Sequence, residues 1–190
     1  YDVTVQASDG TLSSTKAIAV TVTSANDNAP VITSSATASV AENTTAVMTV
    51  TATDADQPAQ TLSYSIVGGA DAAKFSINAS TGALSFLAAP DFEAPTDVGG
   101  DNVYDVIVQV ADGQGGTDSQ AIAVTVTSAN DNAPVITSGS TASVAENTTA
   151  VMTVTATDAD QPAQTLTYSI VGGADAAKFS INASTGALSF

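Results

Sequence analysis

The chain repeats itself, and that constrains its fold more than any other feature. Ala29 to Phe86 recurs at Ala133 to Phe190 with a shift of 104 residues, and three positions differ: Ser35 against Gly139, Ala36 against Ser140, Ser63 against Thr167. Tyr1 to Gly10 matches Tyr104 to Gly113 at a shift of 103, one residue being lost in the loop before Ala17. Such a period means one structural unit used more than once, and its length suits one compact domain. The 190 residues therefore divide into the last part of one unit (1–28), a whole unit (29–132) and the first part of a third (133–190). The chain opens on Tyr1-Asp2-Val3 rather than on Met or a secretory leader, and reads as a segment of something longer. Near-identical neighbours risk exchanging strands as they fold, so their retention points to a use for copy number itself, such as spacer length.

Within the unit, apolar residues alternate with a period of two. Leu62-Ser63-Tyr64-Ser65-Ile66, Tyr104 to Val110 and Ile122 to Thr127 each place large apolar side chains on one face, and Met48, Val50 and Ala52 face inward likewise. Phe75-Ser76-Ile77 and Leu84-Ser85-Phe86 flank Asn78-Ala79-Ser80-Thr81-Gly82, whose glycine can take positive φ, which predicts a hairpin. Val31 to Val40 reads as a leading strand, and Gly69 to Lys74 as one helical turn. Seven short strands with one long connection, Leu87 to Val103, predict an all-β fold of tandem seven-stranded Greek-key β-sandwiches. On this reading 1–28 carries two strands and a linker, and 133–190 the first five strands.

Composition narrows the chemistry. Without Cys, His, Trp or Arg, the chain has no disulfide, no Ser-His-Asp or Cys-His catalysis, no ordinary zinc or iron site and no arginine clamp on phosphate. Three Lys+Arg stand against 19 Asp+Glu, a net charge of -16, which repels nucleic acid and anionic lipid and favours cationic partners. Hydrophobic residues make up 44%, so the chain folds rather than remaining an acidic coil. No apolar run approaches the ~18 to 20 residues of a membrane span.

The carboxylates gather where the strand pattern places the ends of the sandwich. Residues i and i+2 of an extended chain point the same way about 7 Å apart, so Asp54 with Asp56, and Asp91 with Glu93, can bracket one ion. Asn130-Asp131-Asn132 adds three oxygen-bearing side chains along an extended linker, and Asn26-Asp27-Asn28 repeats it. Lys16, Lys74 and Lys178 lie elsewhere in the pattern, so the acidic ends lack a protein counter-charge. Oxygen-only ligands in a flexible arrangement suit Ca²⁺ better than Mg²⁺ or a transition metal. Two carboxylates ~4 Å apart repel by about 1 kcal/mol in water and ~4 kcal/mol at an effective dielectric of 20, so packed without calcium they push neighbouring units apart.

These residues resemble the cadherin repeats, and more closely the cadherin-like tandem repeats of large bacterial surface proteins. The resemblance rests on Ala41-Glu42-Asn43, Asp54-Ala55-Asp56, Tyr64-Ser65-Ile66, Thr81-Gly82-Ala83-Leu84, Asp91-Phe92-Glu93, Val110-Ala111-Asp112-Gly113 and Asn130-Asp131-Asn132-Ala133-Pro134. It covers the whole unit and both partial ones. It implies up to three calcium ions between successive units. At the second junction the implied ligands are Glu42, Asp91 and Glu93, then Asn130, Asp131 and Asn132, then Asp158 and Asp160. At the first they are Asn26, Asp27, Asn28, Asp54, Asp56 and Asp112, and the repeat counterparts Glu146 and Asp9 complete the candidate set. The family often has an aspartate two residues before the linker Asn, where this chain has Ser24 and Ser128.

The expected function is a calcium-rigidified extracellular stalk of a bacterial adhesin or surface filament, its repeats acting as a ruler. The alternative from another class is a recognition module that binds a like domain, a cell-surface protein or a carbohydrate. The paired carboxylates invite comparison with a glycosidase, but 5% aromatic content, on inward strand positions, leaves no aromatic cleft, so no enzyme is expected. The alternating threonines read as ordinary outward strand residues. Asp71, Asp105 and Asp118 read as solvated surface charges, and Asp97 and Asp101 stay open between that reading and ligation. One chain's tail and another's head can together build a nearly complete sandwich, although a segment of one continuous polypeptide is the simpler expectation.

Overall fold

A computed structural model describes residues 1–190. Strands β1 (Asp2–Ser8) and β2 (Ser13–Ala19) form an isolated antiparallel hairpin. The whole unit holds β3 (Val31–Ile32), β4 (Thr37–Ala41), β5 (Ala46–Thr49), β6 (Ala52–Thr53), β7 (Ser63–Gly68), β8 (Phe75–Ile77), β9 (Ala83–Phe86), β10 (Val103–Ala111) and β11 (Thr117–Thr127). Beyond it lie β12 (Val135–Ile136), β13 (Ala150–Thr153), β14 (Ala156–Thr157), β15 (Ser180–Ile181) and β16 (Ala187–Ser189). Helix is confined to single 3₁₀ turns at Ala72–Lys74 and Ala176–Lys178.

Two facing sheets make the whole unit. One runs β4-β11-β10-β7, with β4 parallel to β11, and the other β5-β9-β8, with the short β3-β6 pair beside them. β3 with β4, and β5 with β6, are each one interrupted path, which gives the seven paths that the alternation predicts. The expected single strand from Val31 to Val40 is broken because β3 pairs with β6 whereas β4 pairs with β11, so the chain crosses between sheets at residues 33–36. Ser35 marks the crossing by accepting a hydrogen bond from the Thr37 N–H.

The inward residues of the period-two strands form the core. Tyr104, Val106 and Val108 of β10, with Ile122, Val124 and Val126 of β11, face Val50, Leu84, Phe75 and Phe86 from the other sheet. Each buried valine contributes about 1.5–3 kcal/mol relative to exposure. Phe86 stacks on Phe75 at 4.5 Å between centroids and receives the edge of Tyr104 at 5.1 Å. Gly82, at φ 70°, closes the β8–β9 turn where a Cβ would meet the Val50 carbonyl oxygen at 2.1 Å, so the position requires glycine.

The long connection is ordered by carboxylates rather than by apolar packing. Asp97 is buried and accepts hydrogen bonds from the backbone N–H groups of Asp101 and Asn102. Burial pushes its pKa up, but these bonds outweigh it and hold the group below its ordinary value. Asp97→Ala leaves those N–H groups unpaired and is expected to cost about 1–3 kcal/mol for each in urea denaturation. The stability that Asp97 contributes is present above its ordinary pKa of 3.8 and lost as pH falls through its lower folded value.

Two other aspartates depart from the solvated role. Asp71 is buried and accepts from the N–H groups of Val98 and Asp105, and Asp118 accepts from the Ile32 N–H at 2.8 Å. Backbone groups in loops need acceptors, and short carboxylates supply them.

The third segment shows what a strand needs besides sequence. Residues 141–145 repeat β4, and 167–172 repeat β7 with one substitution, yet neither lies in a ladder. Of the five strands expected in this segment, four form at least in part, as β12, β13 with β14, β15 and β16, and the one at residues 166–170 does not. In the whole unit β4 pairs with β11 and β7 with β10, and no counterpart of either partner lies beside residues 141–145 or 167–172.

Candidate metal centre

β4 ends at Ala41, and Asn43 at φ 61° turns the chain at once, which leaves Glu42 at the end of the sandwich. Its carboxylate is buried and ties two elements: Oε2 accepts from the Phe92 N–H at 2.8 Å, and Oε1 from the linker Ala129 N–H at 2.6 Å. Asp91 folds its own loop by accepting from the N–H groups of Glu93 and Ala94. Glu93 reaches across the junction, where its Oε1 accepts from the Gln161 N–H at 3.2 Å, and its Oε2 is buried without a partner.

Two triads result. Carboxylate oxygens of Glu42, Asp91 and Glu93 lie within 4.8 Å of one another, as do those of Glu93, Asp131 and Asp160. Calcium binds oxygen at ~2.3–2.6 Å, so oxygens sharing one ion lie at most about 5 Å apart, and both triads meet that limit. Glu93 belongs to both. The second triad draws on the whole unit, the linker and the third segment, which sequence spacing gave no means of pairing.

The linker is drawn towards the third segment by amides. Asn132 donates its backbone N–H at 3.1 Å and its side-chain amide at 2.8 Å to Asp160, and Asp158 accepts from the Asp160 N–H. Asp131 accepts from Asn132 at 3.0 Å and from the side-chain amide of Asn43. Burial raises the Asp160 pKa, but the Asn132 side chain and backbone outweigh it, so the carboxyl stays below the ordinary value. Burial pushes Glu93 the other way, and the charges of Glu42 and Asp160 add to it against the Gln161 hydrogen bond. Asn130 and Asp158 lie at the rim of a groove in the third segment.

The first junction repeats part of this pattern. Asn28 donates its side-chain amide to Asp56 at 2.6 Å and its N–H at 3.0 Å, and Asp27 accepts from the same amide. The Asp56 N–H is held by Asp54, whose Oδ2 is buried without a partner. Asn26 donates to Asp112 at 2.9 Å, and its own Oδ1 is buried and unpartnered. Asn28 lowers the pKa of Asp56, and Asn26 that of Asp112. These residues meet at one end of the unit without forming a triad of carboxylates as close as those at the second junction.

Two candidates stand apart. Glu146 is exposed, and Asp9 caps its own turn by accepting from the N–H groups of Thr11 and Leu12. The single ion pair of the protein, Lys178 with Asp175 at 2.6 Å, involves none of the junction carboxylates. The unpartnered oxygens, the close carboxylates and the absence of a lysine counter-charge fit a hard cation.

Fold and site together define a tandem all-β module with acidic junctions. The model of the cadherin domain matches residues 36–127 and 140–190, and the chain belongs to the cadherin family. It is 35% identical over 196 residues to human protocadherin Fat 1, covering 98% of this chain and 4% of that protein. It is 33% identical over 204 residues to the mouse cadherin EGF LAG seven-pass G-type receptor 3, covering 98% of this chain and 6% of that one. Among solved structures it resembles the protocadherin gammaB7 EC3-6 cis-dimer, with a TM-score of 0.67, 29% identity and coverage of 100% of this chain and 49% of that one. Mouse cadherin-23 EC22-24 gives 0.63 and 30%, with coverage of 99% and 62%. Cadherin domains are extracellular adhesion modules that bind calcium, and they are not enzymes. No helix here is long and apolar enough to cross a membrane.

Proposed function

We propose that this chain is a calcium-stiffened spacer in an extracellular adhesion protein, of the kind found in the bacterial surface proteins that the sequence resembles. The observation that carries the reading is the pair of carboxylate triads at the second junction, joined through Glu93 and drawn from two units and their linker. The ligands are Glu42, Asp91 and Glu93 of the whole unit, Asn130, Asp131 and Asn132 of the linker, and Asp158 and Asp160 of the following unit. The first junction uses Asn26, Asp27, Asn28, Asp54, Asp56 and Asp112. The unit boundaries fall at residues 28/29 and 132/133. Bound calcium supplies positive charge that no side chain of the junction offers. Without it, Glu42, Asp91, Glu93, Asp131 and Asp160 repel across the linker and the units flex. Near-identity of the copies supports the ruler role, because length depends on the number of units rather than on their individual surfaces.

Calorimetric titration of the 190-residue chain with calcium, alongside small-angle scattering in calcium and in chelator, tests this. At least two ions are expected at the second junction, with a longer and stiffer particle in calcium. No binding below ~10 mM, about tenfold above the usual extracellular range, would sink the proposal.

A further inference from the structure

Two non-glycine residues of the whole unit stand at positive φ, Asn43 at 61° and Asn102 at 62°. That region is unfavourable for residues with a Cβ, and asparagine is among the few that enter it, because its short amide can bond nearby backbone. Neither amide is used in that way. The Asn43 side chain donates to Asp131, 88 residues along the chain, and the Asn102 side chain donates to the Phe92 carbonyl at 2.9 Å. Both residues are anchored by their backbones. The Asn43 N–H donates to the Pro90 carbonyl at 2.9 Å, which ties the end of β4 to the residue before Asp91. Asn102 is buried: its N–H donates to Asp97 at 3.2 Å, and its carbonyl accepts from Val126 of β11 at 2.9 Å, which seats it on the core.

We propose that Asn43 and Asn102 are positioning residues of the metal centre: Asn102 fixes the backbone that carries Asp91 and Glu93, and Asn43 fixes the carboxylate of Asp131. These roles rest on the calcium reading above and extend it to two side chains that hold ligands rather than the ion. Phe92 lies between Asp91 and Glu93, and it is held on both sides. Its N–H donates to Glu42 at 2.8 Å, and its carbonyl accepts from Asn102. A fixed Phe92 fixes the backbone on either side, from which the Asp91 and Glu93 carboxylates enter the first triad and Glu93 also enters the second.

At Asp131 each oxygen receives one amide: Oδ1 accepts from Asn132 at 3.0 Å and Oδ2 from Asn43. An ionised carboxylate has about four lone-pair sites, so each oxygen keeps one for a cation. The donors that orient the triads are neutral throughout. Backbone N–H groups hold Glu42, Asp91 and Glu93, and side-chain amides hold Asp131 and Asp160. A lysine at position 43 would orient the same carboxylate but offset the charge that attracts the ion, whereas an amide orients it and leaves that charge in place.

Asn43→Gly in the full 190-residue chain tests the first role, because position 43 is exposed and glycine takes positive φ without strain. Its urea midpoint in chelator is expected to match that of the native chain, while calorimetry reads calcium binding weakened about tenfold or more, the loss typical when an outer partner of a metal ligand is removed. Asn43→Ala lacks the same amide and adds strain at positive φ, so it weakens calcium binding equally and lowers the urea midpoint as well. Asn102→Gly is expected to weaken calcium binding by a similar factor. In chelator, amide exchange of this variant shows lost protection at Phe92 with Val106 unchanged. Native-like calcium affinity in either glycine variant overturns the role of that residue, and a lower urea midpoint of Asn43→Gly at unchanged calcium affinity makes Asn43 a structural residue only. A native chain that binds no calcium overturns the calcium reading itself and both roles with it.

Discussion

Glu93→Gln lowers the calcium stoichiometry of the chain by more than one ion while the whole unit keeps its fold. Glu93 is the one side chain in both triads, so its loss removes a charged ligand from each. At 10 mM calcium and the ~0.1–1 mM affinities of extracellular modules, each ion stabilises the junction by about 1.4–2.7 kcal/mol, so losing two removes about 3–5 kcal/mol. In chelator the sign reverses. Burial, then the charges of Glu42 and Asp160, raise the Glu93 pKa above its ordinary 4.5, so the ionised side chain is unfavourable in the folded junction. That cost is absent well below the ordinary value and develops as pH rises through the raised one. Glutamine removes it, so the variant is slightly more stable than the native chain in chelator at neutral pH and much less stable in calcium. Thermal melts of both proteins in both buffers check the crossing, and a variant weaker in both would assign Glu93 a packing role only.

Much of the fold was legible because a β-sandwich writes its burial in period two. Tyr104 to Val110 and Ile122 to Val126 alternate in sequence as they do in burial, and Gly82 takes the positive φ that its turn cluster predicts. The break between β3 and β4 was not legible, because it depends on which sheet supplies the partner. Nor were the roles of Asp71 and Asp118, which accept from backbone groups 27 to 86 residues away in the chain. Among the acidic residues, the pairs Asp54 with Asp56 and Asp91 with Glu93 were visible from spacing. That Glu93 shares a junction with Asp131 and Asp160 was implied by the family resemblance and not by spacing, since their closeness depends on how the linker folds back. Glu146 and Asp9 repeat Glu42 and Asp112 in sequence, but the counterparts of Phe92, Ala129 and Asn26, which hold Glu42 and Asp112, fall outside residues 1–190.

That difference supports a second large effect, Glu42→Ala set against Glu146→Ala. In the whole unit the Glu42 carboxylate is buried and accepts from Phe92 in the long connection and Ala129 in the linker. Alanine leaves two backbone N–H groups without acceptors, at about 1–3 kcal/mol each, so about 2–6 kcal/mol is lost before any calcium is counted. Urea denaturation in chelator reads this cost, and amide exchange locates it: Phe92 and Ala129 lose protection, whereas Val106 and Val124 in the core keep theirs until the unit opens as a whole. Glu42→Gln retains one carbonyl acceptor and falls between alanine and the native residue in chelator, while weakening calcium binding because the carboxylate charge is gone. Glu146 has the same preceding and following sequence, but it is exposed and makes neither bond. Its alanine variant stays within about 0.5 kcal/mol of the native chain, as a substitution away from any network does. Equal effects at the two positions would show that the local sequence sets the cost; a large gap assigns it to the tie between the long connection and the linker, which only the whole unit possesses.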